Sequence, residues 1–131
     1  MEIKKKYILI KDLEVYQLAR ELSNIAWLVY QKMSWQIKKI IGDQFIEATD
    51  SIGANLAEGY HRFHYLDKIK FYYNCRGSLA EACDHWLELL NERKVITKEI
   101  YEQYKKIANT LSIKLNNFIS STYKAKNNQF Q

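Results

Sequence analysis

The sequence predicts an all-α protein, an up-down antiparallel four-helix bundle, and three observations predict it. The 131 residues contain no proline and only four glycines, whereas an α/β fold or a β-sandwich needs frequent turns. Apolar residues recur at spacings of three and four through four long segments. The connections between those segments are about five to eight residues long, which makes consecutive helices antiparallel neighbours. Hydrophobic residues make up 47% and charged residues 27% of the chain, an ordinary globular composition. The length corresponds to one domain over residues 1–131.

The first helix is expected over about 12–34, carried by Val15, Leu18, Leu22, Ile25, Val29 and Met33. Asp12 is its expected N-cap, and Glu14 places a negative charge where the helix dipole favours it. The second is expected over about 42–59, through Ile41, Phe45, Ala48, Ile52 and Leu56, with Gly59 as a left-handed terminator. The third, about 66–92, is apolar nearly all round: Ile69, Tyr72, Tyr73, Cys75, Leu79, Cys83, Trp86, Leu87 and Leu90. Such a helix asks for more than one neighbour, including a partner beyond its own bundle. The fourth, about 98–123, follows Thr97 as N-cap and carries Ile100, Tyr104, Ile107, Leu111, Leu115 and Phe118. Residues 1–10 and 124–131 lack a pattern and are expected to be flexible ends.

The longest apolar run is Ile25 to Tyr30, far short of the ~18 residues of a membrane span. The basic start lacks the ~7–15-residue apolar stretch and the cleavage site of a signal peptide. The expectation is a cytoplasmic protein, off the membrane, with Cys75 and Cys83 reduced. Gly53 and Gly77 interrupt helices at a cost of about 1 kcal/mol each relative to alanine. That cost predicts close helix crossings, with Gly77 admitting a neighbour and Arg76 pairing with Glu47 across the second hairpin.

The net charge of +5 is unevenly spread. Residues 1–11 carry +3, residues 45–60 carry −3, and residues 97–131 carry +4. Lys4, Lys5, Lys6, Lys38, Lys39, Arg62, Lys68, Lys70, Lys105 and Lys106 are therefore candidate phosphate-contacting residues for RNA or DNA. Tyr60, Phe63, Tyr65, Tyr72 and Tyr73, interleaved with His61, Arg62 and His64, offer rings for base stacking or a protein interface. For Tyr72 and Tyr73 core packing is the expected use.

Catalytic constellations are thin. Glu58-x-x-His61-x-x-His64 has metal-ligand spacing, but a di-iron bundle needs a second Glu-x-x-His and two more inward carboxylates, and no second copy of the motif exists. Cys75 and His85 lie on different faces of one helix, which disfavours a nucleophile pair. No phosphate-binding glycine loop occurs. No enzyme activity, metal or cofactor is expected.

Two motifs carry a resemblance. Ser51-Ile52-Gly53-Ala54-Asn55-Leu56-Ala57-Glu58-Gly59-Tyr60 is similar to the signature S-I-P-x-N-I-A-E-G-[YF], and Cys75-Arg76-Gly77-Ser78-Leu79-Ala80-Glu81 is similar to A-R-G-S-x-x-E. Together with Asp12 to Leu22, they resemble the bacterial four-helix proteins encoded in intervening sequences of 23S rRNA genes, over about residues 12–120. That family is related to the accessory variability determinant of diversity-generating retroelements. The resemblance implies a homopentameric barrel without catalytic activity. It also implies a basic surface that, in retroelement relatives, works with a reverse transcriptase and RNA. Two departures stand out: Ile46-Glu47 occupies the place of a basic pair, and Gly53 replaces the proline. Asn55, Glu58, Gly59, Tyr60, Arg76, Gly77, Ser78 and Glu81 are then structural or interface residues, and their polar groups should find partners. A protein–protein scaffold without nucleic-acid contact is the competing expectation.

Overall fold

The computed structural model describes residues 8–128, and these form a four-helix bundle. Helix α1 spans Glu14–Gln31. Helix α2 runs continuously over 35–60, as an α segment Trp35–Ile37, a wider π turn Lys38–Gly42 and a long α segment Asp43–Tyr60. Helix α3 does the same over 65–92, through Tyr65–Ala80, a π turn Glu81–Trp86 and Leu87–Glu92. Helix α4 spans Lys98–Asn128. In cross-section α1 lies beside α2 and α4, and α3 lies beside α2 and α4, so α2 and α4 face each other across the core. One end of the bundle holds the turns at 32–34 and 93–97. The other holds the turn at 61–64 and the entry segment at 8–13.

The predicted stripes form the core: Val15, Leu22, Phe45, Ile52, Leu56, Tyr72, Leu87, Leu111 and Leu115 are all buried. At the centre, Thr49 of α2 and Tyr104 of α4 join their hydroxyls at 2.8 Å, and the Tyr104 ring lies 5.4 Å from Phe45. Burial of a polar pair is tolerated because each group satisfies the other. The Cys75 thiol donates to the Ile52 carbonyl at 3.3 Å, tying α3 to α2.

Several boundaries differ from the sequence expectation. Asp12 lies in a short 3-10 turn, Ile10–Asp12, and Leu13 precedes α1 without a side-chain cap. Helix α2 starts at Trp35, because Ser34 Oγ accepts the Ile37 N–H at 3.2 Å and starts the helix upstream of the lysine pair. Thr97 Oγ1 does cap α4, from Ile100 N–H at 3.2 Å. That helix continues to Asn128, so residues 124–128 are helical rather than a frayed end.

Gly59 does not end its helix in a left-handed conformation; no described glycine has positive φ. It lies inside the last turn of α2, where a Cβ would meet Phe71 Cβ at 2.7 Å and the Lys68 carbonyl oxygen at 3.1 Å. Its role is close approach of α2 and α3. Gly77 is the reverse case, exposed, with nothing within 4 Å of an added Cβ. Gly53 faces Tyr16 and Ala19 of α1, and an added Cβ would meet them at ordinary contact distances of 3.7 and 3.8 Å. Arg76 does not pair with Glu47: its guanidinium donates to Asn116 Oδ1 of α4 at 3.3 Å and lies over the Tyr73 ring at 4.8 Å.

The apolar surface of α3 is largely consumed inside the bundle, leaving Leu66 and Tyr73 exposed. The other exposed large apolar side chains are Ile8 and Leu9 in the entry segment, Trp27, Leu28, Trp35 and Ile40 near the first turn, Phe63 in the second and Ile113 on α4. No described helix is long and apolar enough to cross a membrane.

Candidate nucleic-acid interface

The expected basic residues do not form one patch. Lys4, Lys5 and Lys6 lie outside the described residues. Lys38 and Lys39 sit by the first turn, over the rings of Tyr30 at 4.8 Å and Trp35 at 5.1 Å. Lys105 is committed to α3: its Nζ lies 2.5 Å from Glu88 Oε1, and Tyr101 donates to the same carboxylate oxygen at 2.6 Å. The carboxylate holds the ammonium well above the usual lysine range, and the cation and phenol hold Glu88 below the usual carboxylate range. Lys70 and Lys106 are exposed on α3 and α4.

Arg62 and Lys68 are brought together with the aromatic residues. Tight packing at Gly59 brings the start of α3 against the end of α2, and the turn 61–64 folds over the bundle end. The result is a cleft of about 690 Å³ lined by Ile8 to Lys11 on one side and Tyr60 to Tyr65 with Lys68 on the other. Tyr60 OH donates to the Ile8 carbonyl and fastens the entry segment as the far wall. Residues 8–11 are therefore a built wall, not a loose end, and Lys11 joins the cations. Nothing in the local sequence pattern announces this, because the wall comes from a segment 50 residues away from Tyr60 in the chain.

The side chains are individually positioned. Lys68 Nζ donates to the Tyr60 carbonyl at 2.5 Å and lies 5.4 Å from the Tyr60 ring centre. Partial burial pushes its ammonium below the ordinary lysine value. Arg62 pairs with Glu58 at 2.7 Å and stacks over Phe71 at 4.8 Å. His61 donates Nδ1–H to the Ala57 carbonyl at 2.8 Å, turning its other nitrogen outward. Phe63 is 89% exposed, its ring edge-to-face with His64 at 5.1 Å. His64 precedes α3 without capping it. Lysine, arginine and histidine side chains thus share one concavity with aromatic rings, the combination that holds phosphates and stacks bases.

The signature residues act mostly within their own helices. Asn55 donates to the Ser51 carbonyl at 2.8 Å, Glu58 pairs with Arg62, and Glu81 accepts from Trp86 Nε1 at 2.8 Å. Ser78 is half-buried on α3. Tyr72 is buried, and Tyr73 bonds Tyr123 across to α4 at 3.0 Å. Burial raises the Cys75 thiol to about 12 and raises Cys83 as well, so both are protonated thiols near neutrality. Among the described residues no three of His, Cys, Asp and Glu are grouped to hold a metal.

None of the curated proteins matches the chain. Among solved structures it is similar to a protein of unknown function from the S23 ribosomal protein family of Bacteroides thetaiotaomicron, with a TM-score of 0.74 and 24% identity. That match covers 80% of this chain and 97% of the other, and it supports the fold. The model of the 23S rRNA-intervening sequence proteins matches residues 11–117. The chain belongs to the 23S rRNA-intervening sequence protein family.

Proposed function

We propose that this chain is a non-enzymatic, self-assembling bundle that works as a nucleic-acid-associated accessory protein, contacting single-stranded RNA or DNA with the cleft end. The observation that carries this reading is the cleft itself, where Lys11, Arg62 and Lys68 meet the rings of Tyr60, Phe63 and Tyr65. The family's tie to rRNA genes favours RNA as the polymer. A reverse transcriptase is the protein partner this reading names where the gene neighbours a retroelement. The homopentamer is tested by light scattering, which should give five times the 15.6 kDa subunit mass.

The binding test is a salt titration of affinity for a single-stranded oligonucleotide. Three phosphate contacts give a slope of about −2 in log affinity against log salt. Replacing Arg62 and Lys68 by Gln should flatten it to about −0.7. A flat wild-type slope would remove phosphate contact altogether. A second reading, a protein scaffold, is favoured by exposed Trp27, Leu28, Trp35 and Ile40 near the first turn. It predicts unchanged partner capture in the Arg62 and Lys68 variant.

A further inference from the structure

We infer that the cleft takes the phosphorylated end of a single strand, one nucleotide unit carrying a terminal monophosphate, rather than tracking along a polymer. This rests on the nucleic-acid reading above and names the ligand of the same site.

Size and charge layout both point there. A cleft of about 690 Å³ holds one nucleotide with its solvent. Among the described residues, the lysine pair Lys38 and Lys39 is not continuous with the cleft: it lies at the other end of α2, roughly 30 Å away at 1.5 Å per residue. Polymer-tracking surfaces instead string cations along a groove. The cleft's lining contains Lys11, His61, Arg62, His64 and Lys68 and no carboxylate.

A terminal phosphate also fits the available donors. It presents three oxygens and a second negative charge, where an internal phosphodiester presents two oxygens and one charge. Lys68 gives one N–H to the Tyr60 carbonyl and keeps two for a ligand. Arg62 spends one nitrogen on Glu58 and retains further N–H groups. The start of α3, uncapped by His64, adds backbone donors beside them. Phe63, 89% exposed, offers ring surface to the attached base.

The experiment measures binding of three ten-nucleotide single-stranded RNAs to the full chain: 5′-phosphorylated, 3′-phosphorylated and unphosphorylated. Adenosine monophosphate serves as competitor. The expected result is that one phosphorylated RNA binds about tenfold more tightly than the unphosphorylated strand, charge-assisted bonds being the stronger class. K68Q should erase that preference, while K38Q/K39Q should retain it. Competition by adenosine monophosphate at matching concentration assigns the site to any nucleotide monophosphate, and failure to compete alongside a strong end preference assigns it to strand ends; both support a terminal-phosphate site. Equal affinity for all three RNAs overturns the inference and leaves the nucleic-acid reading standing. Absence of binding to any of them overturns both.

Discussion

The two ends of the bundle are built from similar turns and treat their polar groups in opposite ways. At the end holding turns 32–34 and 93–97, Ser34 and Thr97 cap the helices they start. Tyr30 donates to Asp43 at 2.6 Å, and Glu88, Tyr101 and Lys105 close on one another. The Tyr30, Tyr101 and Lys105 donors there are spent locally. At the end holding turn 61–64, neither Leu13 nor His64 caps its helix, and the cations surround a cleft. Polar groups that a fold leaves available in a concavity mark the surface built for another molecule.

The comparison is broken most severely at Gly59. Gly59→Ala places a methyl where Phe71 and the Lys68 carbonyl already are, so overpacking should cost about 2 kcal/mol in chemical denaturation, outweighing any gain in helix propensity. The same substitution should displace Lys68 and weaken RNA binding. Unchanged stability would show that α2 and α3 separate freely at this end. At the opposite end, Thr97→Ala removes a cap and should cost about 1 kcal/mol while leaving RNA affinity as it was. A parallel loss of RNA binding would mean that the ends are not independent.

Gly77 sharpens the contrast with Gly59. An added Cβ meets nothing within 4 Å, so Gly77→Ala should stabilise the chain by up to about 1 kcal/mol. If the subunits assemble with another helix against this face, the same substitution will lower the oligomer mass in light scattering instead.

The smallest expected effect lies in the Glu88 cluster. The folded state depresses Glu88 below its ordinary value of 4.5. Its contribution is therefore complete above pH 4.5 and fades as pH falls through the native value. Lys105 is raised, so its share is complete below its ordinary value of 10.5 and is lost only as pH rises beyond it. Glu88→Gln should cost a fraction of a kcal/mol near neutrality, and the difference from wild type should shrink below pH 4. A difference that persists undiminished at pH 3 would assign the effect to packing rather than charge.

The four helices were legible because apolar spacing alone determines them, and the Thr97 cap was legible because its hydroxyl acts on the residues beside it. The Glu47–Arg76 pairing failed for a geometric reason. Hairpin register gives the height at which two residues lie, not the direction each faces. Arg76 faces α4 and Asn116, since α3 lies between α2 and α4. Gly59 was misread because a terminating glycine and a close-packing glycine look the same in sequence. The start of α2 was placed late because Lys38 and Lys39 interrupt the apolar stripe, although the helix continues through them in a wider turn. The basic and aromatic residues of turn 61–64 were visible in the sequence. Their cleft was not, because its second wall is held by Tyr60 reaching to Ile8.

Ultraviolet cross-linking of a single-stranded RNA to the intact protein, followed by tryptic mass spectrometry, tests the central claim most directly. Cleavage after Arg62 and Lys68 isolates the peptide Phe63 to Lys68, and cleavage after Lys32 and Lys38 isolates Met33 to Lys38 from the opposite end. The cleft account predicts that the cross-linked nucleotide is found on Phe63 to Lys68. Cross-links concentrated on Met33 to Lys38, with its exposed Trp35, would place the nucleic acid at the wrong end of the bundle and contradict it.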